Sequence, residues 1–142
     1  MRVSTKGDYG VRALIELANH YGQGPLQSAE IAARQGIPEP YLDQLLTTLR
    51  RAGFISSVRG PQGGHQLVRE PTKLRLSDVI VALEGSLSPV GHTPDSERMC
   101  RSAHEVWHVV EQATHKILDG VTIADLATKE REYTNHGGRY YI

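Results

Sequence analysis

The stretch Gly36-Ile37-Pro38-Glu39-Pro40-Tyr41-Leu42-Asp43-Gln44-Leu45-Leu46-Thr47-Thr48-Leu49-Arg50-Arg51-Ala52-Gly53, continued by Phe54 to Arg69, decides the fold. Gly36-Ile37-Pro38 is a tight turn. After it, Leu42, Leu45, Leu46 and Leu49 recur at i, i+3, i+4 and i+7, the apolar stripe of an amphipathic helix from Glu39 to Ala52 that Gly53 stops. Upstream, Ser28 is expected to cap a short helix from Ala29 to Gln35. Two short helices joined by a glycine turn make a helix–turn–helix. Downstream, the period changes. Phe54 to Arg59 and His65 to Arg69 read as strands on either side of Gly60-Pro61-Gln62-Gly63-Gly64, closed by Pro71. The layout is a winged helix–turn–helix.

Such a unit works by laying its second helix in the DNA major groove. That helix needs one apolar side and one reading side. Pro40, Tyr41, Asp43, Gln44, Thr47 and Arg51 lie off the leucine stripe. Gln44 can bond adenine bidentately, and Asp43 can accept from cytosine N4. Tyr41 and Thr47 can bond phosphate oxygens. Arg59 and Gly60 fall at the hairpin tip, where an arginine can enter the adjacent minor groove. With Ser28, these form the candidate DNA-binding set. The plain alternative is that Gln44 and Thr47 are solvent residues and the helix pair belongs to an ordinary bundle.

The flanks extend this reading. Ser4 or Thr5 can cap a first helix carrying Val11, Leu14, Ile15, Leu17 and Ala18, ended by the run from Tyr21 to Pro25. Ser77 is expected to cap a helix from Asp78 to Glu84, ended by Gly85. Residues 86–98 have no apolar period and read as a loop. A long helix from about Ser102 to Leu118 presents Val106, Val110, Ala113 and Ile117 on one side, with Trp107 beside them. Thr122 caps a last helix ending near Arg131. The expected fold is mainly α with a small β-hairpin. Residues 1–76 form a winged helix–turn–helix domain. Residues 77–131 supply linker, sensor loop and a long C-terminal dimerisation helix, and 132–142 form a mobile tail.

The chain has 142 residues and a formal net charge of zero. The charge is unevenly spread: residues 1–76 hold ten Lys/Arg against six Asp/Glu, and residues 77–142 hold six against ten. Between Arg50 and Arg75, six basic residues face only Glu70. Such asymmetry suits a basic binding module joined to something else. No apolar run can span a bilayer, and the first ten residues carry no secretory pattern, so a cytoplasmic location with no membrane partner is expected. No nucleophile–base motif, phosphate loop or metal-hydrolase signature appears, so an enzyme is not expected.

Met1-Arg2-Val3-Ser4-Thr5-Lys6-Gly7-Asp8-Tyr9-Gly10-Val11-Arg12-Ala13-Leu14 resembles the start of the Rrf2 family of bacterial winged-helix transcription regulators. Tyr41 to Leu46, Leu49 to Ile55 and Arg59 to Leu67 are similar to the family's recognition helix and wing, and Arg-Gly-Pro-x-Gly-Gly is its most specific part. The likeness covers about residues 1–118. It implies a homodimer on a pseudo-palindromic site of double-stranded DNA, acting as a repressor, with Val106, Trp107, Val110, Ala113 and Ile117 at the seam. Two positions depart from the family pattern. Pro40 stands where serine is frequent and Asp43 where glutamate is common, so no operator sequence can be carried over.

The resemblance also raises a cofactor question. Cluster-binding members of the family carry three cysteines before the long helix, whereas this chain has one cysteine, Cys100. His104 stands three residues before Trp107, resembling the family's His-x-x-Trp, and His92 is nearby. One reading is a [2Fe–2S] cluster held by Cys100 with His104 or a carboxylate, with His92 as a further candidate and residues of the first helix of the partner subunit, around positions 8 and 12, completing the set. A second is a thiol switch at Cys100. A third is a cluster-free regulator controlled by a protein partner or small ligand. A reading of another class is a winged-helix interaction module that does not touch DNA.

Overall fold

Ser4 caps the first helix, α1 (Thr5–Asn19), its hydroxyl accepting from the Gly7 amide at 3.3 Å. In this computed structural model, which describes residues 1–91 and 96–136, α2 (Ser28–Gln35) and α3 (Glu39–Arg51) follow. Next come β1 (Ile55–Val58), β2 (Gly64–Leu67) and a 3-10 turn (Pro71–Lys73). The chain continues with α4 (Leu76–Glu84), α5 (Ser96–Met99), α6 (Arg101–Asp119) and α7 (Ile123–Asn135). The mainly helical fold with one antiparallel hairpin is the expected one.

Helix α3 shows why the sequence folds this way. Its four leucines are each at most 1% exposed. Burying a leucine stabilises by about 1.5–3 kcal/mol, so this stripe anchors the recognition helix. Leu42, Leu46 and Leu49 share one core with Ala13, Leu14 and Leu17 of α1, Ile31 of α2, Ile55 and Leu67 of the hairpin, and Val79 and Leu83 of α4. Ile123 and Ala127 of α7 join that core, so the C-terminal helix packs on the N-terminal one. Arg12 ties α1 to the end of α2, bonding the Gln35 carbonyl and its side-chain oxygen. Its guanidinium also lies over the Tyr9 ring at 4.9 Å.

Several local expectations are corrected. Ser28 is the first residue of α2 and Gln27 is its N-cap, because Leu26 is held extended against His65 by two backbone hydrogen bonds. Ser77 likewise lies inside α4. Leu74 and Leu76 pair with Ile123 and Val121, so the helix begins at Leu76, and the Ser77 hydroxyl bonds Asp119 at the end of α6. The strands are four residues each, shorter than read from sequence. The helical turn α5 begins within the 86–98 segment and ends at Met99. Helix α7 runs on to Asn135, so residues 132–135 are helical where a tail was expected. No helix breaker precedes Gly137, and the Thr122–Asp125 capping box starts α7 firmly.

Candidate nucleic-acid interface

The wing is fixed to the helix pair by its main chain. Leu26 N donates to His65 O at 2.9 Å, and His65 N donates to Leu26 O at 2.8 Å. This approach demands glycine beside it. A Cβ on Gly64 would sit 2.5 Å from Leu26 O, and one on Gly63 would strike Val58 O. Gln27 Nε2 donates across the gap to Pro61 O at 3.3 Å. The result is a cleft of about 350 Å³ lined by Ser28 and Ala29 of α2, Glu39 of α3, and Ser57, Gly60 and Gly64 of the wing.

The candidate residues divide by environment. Pro40, Asp43, Gln44 and Arg51 are exposed on the polar side of α3, and Arg59 and Gly60 are exposed where β1 ends. Among the described residues, Arg59 has no ion-pair partner. Ser28 is half-buried at the start of α2 and lines the cleft. Tyr41 and Thr47 have other engagements. The Tyr41 ring packs edge-on against Tyr9, with centroids 5.8 Å apart, and joins α3 to α1. The Thr47 hydroxyl donates to Asp43 O at 2.9 Å, so in this rotamer it has no proton for a phosphate.

Sequence reading missed a polar group at the root of the wing. Arg50 Nη1 donates to Ser57 Oγ at 3.4 Å, and Ser57 Oγ lies 2.9 Å from His65 Nδ1. Partial burial, and then the Arg50 charge, hold the His65 imidazole below its ordinary value of 6.5, against a smaller opposing pull from Asp43. The signal was present: Ser57 and His65 are directly opposed once the hairpin register is counted.

Helix α6 differs from every helix before it of comparable length. None of its 19 residues is buried in the chain. Val106 is 54% exposed, Trp107 37%, Val110 38% and Ile117 68%, and Ala113 is exposed with them. Val109 shares that surface at 64%. Cys100 is the exposed N-cap of α6, and His104 follows one turn on. His92, the third residue named with them, lies outside the described residues. Among the described residues no group of three or more His, Cys, Asp or Glu is placed to hold a metal ion. Cys100 and His104 offer two donors where a [2Fe–2S] cluster takes four, so the described residues of one chain do not fit that group. Among the described residues, no helix is long and apolar enough to cross a membrane.

The sequence profile of the Rrf2 family, described as an iron-dependent transcriptional regulator, matches residues 3–129. The HTH-type transcriptional regulator CymR of Bacillus subtilis is 41% identical over 128 residues, covering 90% of this chain and 91% of that protein. The solved structure of CymR, described as the global cysteine regulator of B. subtilis, superposes with a TM-score of 0.78 at 40% identity, covering 91% of this chain and 98% of that one. The structure of T. potens IscR gives 0.76 at 41% identity, covering 93% and 90%. The fold, the wing signature and these matches together place the chain in the Rrf2 family of transcriptional regulators.

Proposed function

We propose that the protein is a cytoplasmic, homodimeric transcription regulator that occupies a pseudo-palindromic operator and represses by that occupancy. The observation that supports DNA binding is the cleft joining the start of α2, the start of α3 and the wing, together with Asp43, Gln44 and Arg51 exposed along α3 and Arg59 exposed at the end of β1. Gln44 and Asp43 read base edges, Arg59 enters the minor groove, and Ser28 and Arg51 meet phosphates. Residues 1–76 carry this surface, and α6 carries the dimer seam.

The seam follows from physical chemistry. Val106, Val110, Ala113 and Ile117 are spaced four, three and four residues apart, the spacing of a two-helix seam. An apolar stripe of this length facing water is unfavourable, and a second copy of α6 covers it symmetrically. The signal is read without a cluster built by one chain, through a protein partner or small ligand. The two-donor set at Cys100 and His104 supports that reading.

Fluorescence anisotropy on a labelled duplex drawn from a random pool tests the function. Affinity should fall steeply as salt rises, because phosphate contacts release counterions. Binding that is absent at low salt would leave the interaction-module reading instead. Anaerobic purification with iron and sulfide assays tests the signal: stoichiometric iron lost in Cys100→Ala would overturn the cluster-free reading.

A further inference from the structure

His65 is pinned twice. Its main chain exchanges two hydrogen bonds with Leu26, just before α2. Its side chain reaches the other way, toward α3. The hairpin register explains this. Ile55 pairs with Leu67, and Ser57 pairs with His65. Alternate residues of a strand share a face, so Ser57 and His65 continue the face that begins with buried Ile55 and Leu67. Where the wing leaves the core, its inner face changes from apolar to polar, and Arg50 of α3 meets it there.

Donor chemistry fixes the first half of this chain, and the imidazole tautomer sets the second. Arginine only donates, so Ser57 Oγ accepts from Arg50. With the imidazole neutral and Nδ1 unprotonated, the Ser57 hydroxyl donates to His65 Nδ1, and the chain runs from Arg50 through Ser57 to the ring. The held-down His65 value agrees with that state. The charged and titratable groups around the ring are Arg50 and Asp43 of α3, Glu39 at the start of α3, and His20 just after α1.

We propose that His65 is a positioning residue for DNA recognition: with Ser57 it holds Arg50 and thereby locks the wing in register with the recognition helix. The inference rests on the reading of the chain as a DNA-binding regulator. Protonation at Nδ1 turns the acceptor into a donor, leaves the Ser57 proton without its partner and sets a second positive charge before Arg50. The lock therefore holds above the ordinary imidazole value and opens as pH falls through the lowered folded value.

The test uses the full chain and an operator duplex selected from a random pool, with a scrambled duplex as reference. The readout is the ratio of the two affinities, which cancels the general gain from added positive charge at low pH. In wild type the ratio should fall as pH drops from about 8 to about 5.5. His65→Ala should lower it about tenfold at neutral pH, and Arg59→Ala should then cost little more, since an unlocked wing no longer presents Arg59. His65→Asn, whose amide oxygen can accept from Ser57, should restore the ratio and flatten its pH profile. Should His65→Ala fail to fold, Ser57→Ala carries the same expectation. An unchanged ratio in the variants, or an Arg59→Ala cost equal in both backgrounds, overturns the lock while leaving DNA binding intact. A wild-type chain that does not distinguish operator from scrambled DNA overturns the function reading and the lock with it.

Discussion

Helices α3 and α6 carry nearly the same sequence pattern and meet opposite fates. Leu42, Leu45, Leu46 and Leu49 of α3 are sealed in the chain's own core. Val106, Val110, Ala113 and Ile117 of α6 stay in water along a helix with no buried residue. An amphipathic stripe specifies that something must cover it and leaves open what does. In α3 the cover is α1 and the hairpin, and the polar side is freed for DNA. In α6 the C-terminal end is attached to α4, where Asp119 meets Ser77, and among the described residues the chain buries none of its stripe.

The largest effect should come from opening the inner stripe. Leu46→Ala should destabilise the fold by about 2–5 kcal/mol in urea denaturation, because it leaves a cavity among packed side chains. Val110→Ala should change the unfolding of the monomer by no more than about 0.5 kcal/mol, because Val110 is exposed in the chain. Equal costs for the two variants would break the comparison. Next, Val110→Glu should move the sedimentation mass from dimer to monomer with helical circular dichroism retained. Operator affinity should drop at least about tenfold with it, since one subunit then engages one half-site.

The α3 stripe, the turn before it and the wing were legible in the sequence because each is local: leucine spacing, a Gly-Ile-Pro turn, and glycines around a hairpin tip. The same locality hid the rest. Ser28 and Ser77 looked like caps because their residue type suits caps. Long-range pairing of Leu26 with His65, and of Leu74 and Leu76 with Ile123 and Val121, moved the start of α2 by one residue and that of α4 by two. Thr47 carries a phosphate-binding hydroxyl in sequence, yet its proton goes to Asp43 O in the fold. The Arg50–Ser57–His65 group joins residues from a helix and two strands, which periodicity cannot bring together. The stripe on α6 was visible at once, and it was the family resemblance, not the spacing, that placed it at a seam between subunits.

Smaller changes sharpen the contrast on the polar side of α3. Arg59→Ala should weaken operator binding by about 1–3 kcal/mol and make the salt dependence shallower by about one unit of slope. Gln44→Ala should relax base preference at one position of each half-site by about 1–3 kcal/mol in competition binding. At the far end of α6, Thr122→Ala removes half of the capping box that starts α7 and should cost about 1 kcal/mol in thermal unfolding. The smallest effect is a pH dependence. The folded His65 value lies below 6.5, so its neutral-state stabilisation is present above 6.5 and is lost as pH falls through the folded value. His65→Asn should remove that part of the acid sensitivity, read as a flatter curve of melting temperature against pH.

The most direct measurement is selection of duplexes from a random library by the full chain, followed by sequencing. An inverted repeat, with half-sites separated by whole helical turns, is the expected product, because two winged helices joined through α6 face DNA with two-fold symmetry. Enrichment of a lone half-site would contradict the dimer built on α6, and no enrichment at all would contradict DNA recognition by α3 and the wing.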